Sequence, residues 1–468
     1  MFVLLVLVLK ESTQNIQYGS FHDVARVTGI HVDSFNLSLI ILKRIHTLLV
    51  NMESDQDSEN QLVDGSDVVE VNEDDLVEVI DLDHQGEEDG SEMEMEGYDG
   101  EDEEGAEEEK EEDEARMEDI QDDSDFCFKA HTASVFSCDL DPKTSSLAIT
   151  GGEDDKAYVW NIADGTTALI CTGHSDSVTC VGFSSDSKFV ASGDMSGLIK
   201  VWSTESWEEI WSFECSDLEW MKWHPSAHVL LAGTADGDIW MWKIPSGECK
   251  TMQGHGCQTT TAEIFSDGKQ CSAGYEDGVI KVWDLKTAKA LTTFKGNSGH
   301  QDSVTSLDCH DNNNLILSGS VDGSSKIYNC NTGKEIAVFF AGDVNEDIGE
   351  TNSVESVGFC HSQPLAAVGS LNGTLSIWDT PTQIIRHKCQ HDAGIVKLKW
   401  DKSNPLVYSC SLDGMLRLWD ARSGKVEGCW SGHTGEILDM TISRDGNTIL
   451  TVSGDKTARV FPIHVPDR

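Results

Sequence analysis

The chain has 468 residues, with 83 Asp and Glu against 33 Lys and Arg, for a formal net charge of −50. That balance argues against direct nucleic-acid binding, which needs clustered cations to neutralise phosphates. It leaves at most a peripheral association with anionic membranes. With 38% hydrophobic residues and 13 Trp, there is material for a large core.

In chain order, residues 1–51 carry four basic and three acidic side chains. Residues 2–9 form an apolar run as long as a signal-peptide core, but no basic residue precedes it and no small-residue cleavage site follows. The run is far short of the roughly 20 residues that span a bilayer. Lys43 and Arg44 interrupt a second apolar stretch over 35–50. No targeting is expected. The segment reads as an upstream extension outside the native product, with Met52-Glu53-Ser54-Asp55 as a natural start.

Residues 52–125 hold 36 acids and two bases, Lys110 and Arg116, for a charge of −34. Over 101–114 only Gly105, Ala106 and Lys110 are not acidic. Such a run repels itself and cannot bury enough apolar surface to fold, so a disordered acidic segment is expected. It can serve as an electrostatic lure for a basic partner. Leu76-Val77-Glu78-Val79-Ile80, within an apolar-acidic alternation over 68–82, could form a short docking element.

From residue 126 the chain repeats. An aromatic residue follows an aliphatic or Met residue at Val159-Trp160, Val201-Trp202, Met241-Trp242, Val282-Trp283, Ile327-Tyr328, Ile377-Trp378, Leu418-Trp419 and Val460-Phe461. The spacings are 42, 40, 41, 45, 50, 41 and 42, the period of a four-stranded propeller blade taken eight times. Six residues before the aromatic stands Asp154, Asp236, Asp277, Asp322, Asp413 or Asp455, with Ser196 and Asn372 in that place in units two and six. Gly237, Gly278, Gly323 and Gly414 follow four of these acids and supply the positive φ that a tight hairpin needs. Upstream lie Gly-His pairs ending in His174, His255, His300 and His433; His131 and His391 hold the same place without the Gly. Unit three has Cys215-Ser216 there, and unit six has no such mark.

This pattern resembles the WD-repeat family over residues 126–465. The fold expected is all-β: an eight-bladed WD-repeat propeller. The last unit lacks an outer strand after Phe461, and Phe126-Cys127-Phe128 is spare at the start. That N-terminal strand is therefore expected to complete blade eight and close the ring, removing its open edges. Stretches such as Gly151 to Ala157, Gly193 to Leu198, Asp217 to Met221 and Asn352 to Ser356 are similar to one branch of the family. That similarity implies a non-enzymatic, monomeric, cytoplasmic protein with a plasma-membrane-associated pool, linked to cell migration and angiogenesis. It also implies kinship with a fungal propeller that chaperones a basic ribosomal protein of the large subunit.

The remaining motifs weigh against catalysis. His433, Ser453 and Asp455 could be drawn as a triad, but equivalent sets recur in several blades and a catalytic site is built once. The resemblance implies that these groups are structural, binding the His loop to the inner strands: His174, His255 with Asp277, His300 with Asp322, His391 with Asp413, and His433 with Asp455. No phosphate-binding Gly loop, nucleophile elbow or His/Cys metal spacing is present, so no cofactor and no metal are expected. The 14 Cys contain no Cys-x-x-Cys pair and read as small buried hydrophobes in a reducing compartment. Trp419-Asp420-Ala421-Arg422 resembles the box by which some family members dock on cullin-RING ligase adaptors, which makes a substrate-receptor role the alternative function.

One face collects acids at the starts of the inner strands: Asp176, Asp217, Glu219, Asp302, Glu355 and Glu436. Trp220 beside Glu219 offers an aromatic among carboxylates, suited to an Arg or Lys chain. An insertion over 341–352 adds Asp343, Glu346, Asp347 and Glu350. The partner expected is a basic protein segment, a ribosomal protein by the family resemblance, captured by this face and the acidic segment together.

Overall fold

The computed structural model describes residues 121–340 and 352–463. The segment 1–51, the acidic segment up to residue 120 and the insertion acids Asp343, Glu346, Asp347 and Glu350 lie outside the described residues. No helix among the described residues is long and apolar enough to cross a membrane.

Eight four-stranded antiparallel sheets follow one another along the chain. Blade one runs from the inner strand Val135–Leu140 through Leu147–Gly152 and Ala157–Asn161 to the outer strand Thr167–Cys171. The next six blades repeat that order over 178–214, 218–252, 259–294, 304–340, 354–390 and 395–430. Blade eight takes three strands from 437–462 and its fourth from Phe126–Phe128. Phe126, Cys127 and Phe128 pair with Val460, Arg459 and Ala458, so the entering chain closes the ring as its spare strand implied. Gln121–Asp125, which composition groups with the acidic segment, already touch blade eight. Asp123 is hydrogen-bonded to Ser431, and Asp122 is paired with Arg459.

The strand sequences follow from the layering. Second strands are covered on both faces by neighbouring blades, so Leu365–Ser370 and Leu406–Ser411 are buried throughout. Outer strands face solvent, and Lys425–Trp430 is mostly exposed. The apolar clusters lie between consecutive blades; one joins Trp220, Leu231 and Met241 of blade three to Ala262, Tyr275 and Trp283 of blade four. The turn glycines behave as expected: Gly237, Gly278, Gly323 and Gly414 have φ of 87°, 77°, 77° and 75°. At Gly197 (φ 93°) an added Cβ would fall 2.3 Å from the Cys215 carbonyl oxygen, so this turn admits no side chain.

Each inner strand slips register at its second residue, a β-bulge placing Phe136, Thr179, Glu219, Thr260, Thr305, Glu355, Val396 and Leu438 outside the regular pairing. The fifth residue shows a deeper regularity. It reads Asp139, Gly182, Lys222, Glu263 over the first four blades and Asp308, Gly358, Lys399, Thr441 over the second four. The contacts repeat with it. Asp139 and Asp308 accept hydrogen bonds from the backbone N–H of Phe183 (2.8 Å) and Phe359 (2.6 Å) in the next blade. Trp223 and Trp400 donate their indole N–H to the carbonyls of Gly182 (3.0 Å) and Gly358 (2.9 Å). The ring is thus two similar halves of four blades.

Candidate functional site

The loops that carry the expected partner residues share one face because the same hydrogen bond is made in every blade. The residue just after the second strand donates its N–H to the carbonyl of the residue just before the inner strand: Glu153 to Ser134, Met195 to Ser177, Ala235 to Asp217, Glu276 to Gln258, Val321 to Ser303, Leu371 to Ser353, Leu412 to Gly394 and Gly454 to Glu436. The hairpin turn of one strand pair is thereby fixed beside the entry loop of its own blade.

On this face Asp217 and Asp302 are exposed, and Asp176, Glu219 and Glu436 are half-buried. Asp176 and Asp302 occupy the same place in blades two and five, each accepting the N–H of the following serine at 2.7 Å. Two expected members depart from the open face. Glu355 is buried at a bulge. Trp220 is 6% exposed, lies against Gly233 and donates its indole N–H to Thr259 of blade four at 3.0 Å. It fills the seam between blades instead of offering its ring to a cation, because the bulge at Glu219 turns Trp220 inward.

The face holds a further acid that the sequence pattern did not single out. Asp155, in a turn at φ 57°, has its carboxyl raised above the usual range by burial and then by the charges of Asp176, Asp154 and Asp194. Lys156 follows Asp155 on the same turn, and several other bases of the ring are engaged within it. Lys200 bonds to the Thr172 carbonyl and Glu209, Lys326 to the Gly299 carbonyl and Glu335, Arg417 to Asp413 and Asp392, and Arg459 to Asp122. An excess of carboxylate is left facing outward.

Five of the six loop histidines are bonded into their own blades. His131, His174, His300, His391 and His433 place Nε2 on Thr150, Ser192, Ser318, Ser409 and Thr451 at 2.6–2.9 Å. Nδ1 faces Asp154, Asp194, Asp322 and Asp455 at 2.9–3.1 Å in four of them, and Asp413 at 4.0 Å in blade seven. In blade seven Trp419 also donates to Ser409, completing a Trp–Ser–His chain. Blade two does not lack its acid: Asp194, the last strand residue, takes the role, and Ser196 donates to it. His433 is bonded to Thr451 and not to Ser453, so the drawn triad does not assemble. His255 reaches Asp277 at 2.9 Å but touches no inner hydroxyl.

Around the channel, inner strands bring together charges not singled out from the sequence: Lys222 with Glu263 and Lys397 with Asp439, with Asp139 in the field of Asp439 and Lys397, and Lys399 in that of Asp308. Burial pushes Asp139 and Asp308 up to about 6 despite their backbone hydrogen bonds. Burial and then Lys397 hold Lys399 below the usual ammonium range. On the docking motif, Trp419 and Asp420 are buried, while Arg422 is half-exposed and grips Asp420 through two 2.9 Å bonds. All 14 Cys are free thiols, eight of them buried.

Seven segments match the model of the WD domain, G-beta repeat: 124–161, 165–203, 247–284, 289–329, 344–379, 382–420 and 424–461. Residues 204–246, most of blade three, are unmatched. Human Angio-associated migratory cell protein is 53% identical over 354 residues, covering 74% of this chain and 82% of that protein. Ribosome assembly protein SQT1 of Saccharomyces cerevisiae is 26% identical over 348 residues, covering 67% and 79%. The structure of Chaetomium thermophilum Sqt1 bound to the N-terminus of ribosomal protein L10 superposes with a TM-score of 0.67 at 23% identity, covering 73% of this chain and all of that one, a likeness of fold. Repeats over most of the ring and a relative 53% identical over the aligned residues lead to one conclusion: the chain belongs to the WD-repeat family.

Proposed function

We propose that this propeller is a protein-binding scaffold whose acidic loop face captures a basic protein segment, of the kind found at the N-terminus of a ribosomal protein. The observation that carries the reading is the crowding of Asp155 by Asp176, Asp154 and Asp194, whose charges add to burial in raising the Asp155 carboxyl above its usual range. A Lys or Arg side chain placed there relieves that repulsion, so the face is arranged for a cationic guest. Exposed Asp217 and Asp302 extend it around the rim. The Sqt1 structure, with the N-terminus of ribosomal protein L10 bound, supports this choice of partner class. The run over 101–114 would raise the encounter rate with the same partner. The cytoplasm is where such a scaffold meets newly made basic segments.

Calorimetric titration of the full-length chain with a peptide of the L10 N-terminus, over a series of salt concentrations, tests the reading. The expected result is affinity that falls with salt, and a loss of at least about tenfold, or about 1.4 kcal/mol, in an Asp217→Lys, Asp302→Lys double variant. Equal binding by the double variant, or no binding at low salt, overturns it.

A further inference from the structure

Five of the six loop histidines are sealed in their blades, with side chains fully buried. His255 stands outside with 29% of its side chain exposed, and its own blade gives the reason. The strand position that offers a hydroxyl in the other five, at Thr150, Ser192, Ser318, Ser409 and Thr451, is Ala273 in blade four. Tyr275, fully buried two residues on, meets the imidazole edge-on at 4.6 Å. Denied an inner acceptor, His255 turns toward the loop face. Gly256 follows at φ 81°, with open space where a Cβ would stand, and brings Cys257 round to the same side. Asp277 arrives from the hairpin turn, and one donor atom from each of His255, Cys257 and Asp277 lies within 4.8 Å of the others.

We propose that His255, Cys257 and Asp277 form a three-ligand site for a borderline-soft divalent cation of the zinc class. Imidazole nitrogen, thiolate sulfur and carboxylate oxygen are the donors that zinc takes, and three protein ligands leave a fourth position for water or a partner's side chain. Thiolate and carboxylate together neutralise a dication. Glu276, exposed next to Asp277, adds favourable potential. Lys281, which lies 5.2 Å from the Tyr275 ring centre on the same blade and interacts with Asp277, opposes it. Binding shortens the spread of the three donors to coordination distances of about 2.0–2.3 Å from the ion and releases the thiol proton. The Gly256 turn, with open space around it, allows that closure. The His-x-Cys spacing is not a familiar metal motif, and its third member stands 20 residues along the chain; only the blade hairpin unites them.

Cobalt(II), a spectroscopic stand-in for zinc, titrated into the full-length protein is the test. A single equivalent is expected to produce a sulfur-to-cobalt charge-transfer band, and zinc is expected to displace it. Cys257→Ser should abolish the band. His255→Gln and Asp277→Asn should each weaken binding by at least the roughly 10–100-fold that even outer-shell partners contribute. Cys249→Ser, removing the exposed thiol on the outer strand of blade three, should change nothing. The site is on an exposed loop, so the variants should unfold at the wild-type temperature without metal. No charge-transfer band, a band that survives Cys257→Ser, or one lost in Cys249→Ser overturns the proposal.

Discussion

Asp123 and Ser431 hold each other across 308 positions of sequence: the Asp123 N–H donates to the Ser431 carbonyl at 2.9 Å, and the Ser431 N–H donates back to the Asp123 carboxylate at 2.9 Å. Just downstream, Phe128 stacks on Trp160 with ring centres 4.4 Å apart and is 4% exposed. These contacts make the entering strand a latch between blades eight and one. Phe128→Ala in the full-length chain should cost about 3–5 kcal/mol, the range for deleting a buried aromatic. It should also promote association through the freed edge of the last strand. Thermal unfolding with light scattering reads both, and an unchanged midpoint would show that the ring closes without the latch.

Trp220 gives a prediction that separates packing from recognition. Its ring fills the seam beside Thr259 and Gly233. Trp220→Ala should therefore destabilise by about 3–5 kcal/mol, while binding of the basic peptide per folded molecule stays as in wild type. Urea unfolding and calorimetry on the same sample check the pair. Lost affinity at unchanged stability would return Trp220 to the binding face.

Arg422 gives a small effect by the same reasoning. The guanidinium is half-exposed and pairs with Asp420 only two residues away. Ion pairs made by solvent-screened cations contribute little, so Arg422→Ala should change stability only slightly and leave peptide binding intact. A larger loss in denaturant unfolding would mean that the pair anchors more of blade seven than its exposure suggests. Pull-down with a cullin-RING adaptor, comparing wild type and variant, reads the docking alternative directly.

The ring was legible because one aromatic mark recurs at a near-constant period, and Trp242 keeps the count at eight through blade three, where the loop histidine is absent and the family model finds no match. Closure was legible because Phe126-Cys127-Phe128 stands as a spare strand-like run ahead of the first unit, and it pairs with the strand that carries Val460. Side-chain direction was not, since each inner strand carries a bulge that reverses the alternation after its first residue. Alternation alone therefore sets Trp220 and Glu355 on the surface, whereas the bulges leave both buried. Asp194 was missed because it ends a strand instead of sitting in the turn. The channel charges Lys397, Asp439 and Glu263 escaped because polarity alternation cannot say whether a residue faces a channel or the next blade. The displaced His255 follows only from strand register, which sets Ala273 opposite the hydroxyls of other blades.

Two buried groups bend the pH dependence of stability in opposite directions. His391, 1% exposed between Ser409 and Ser411, is pushed down to about 4 by burial and by the neighbouring Arg417. Its unfolded value is about 6.5, so the unfolded chain binds the proton more readily. The stability at stake is present above pH 6.5 and is lost as pH falls toward 4, by about 3 kcal/mol. Asp139, at the channel wall, has the reverse sign. Its folded value of about 6 lies above the unfolded 3.8, so its burial is harmless below pH 4 and costs stability as pH rises through 6. The two offset each other in wild type, and single variants separate them. Asp139→Asn keeps an acceptor for the Phe183 N–H and should match wild type near pH 4. Above pH 6 it should be more stable, by at most about 3 kcal/mol before channel water screens the charge. His391→Asn should be weaker than wild type at pH 7, with the gap closing as pH falls toward 4. Urea midpoints measured from pH 4 to 8 decide both, and parallel profiles for wild type and Asp139→Asn would place that carboxylate in freely hydrated surroundings.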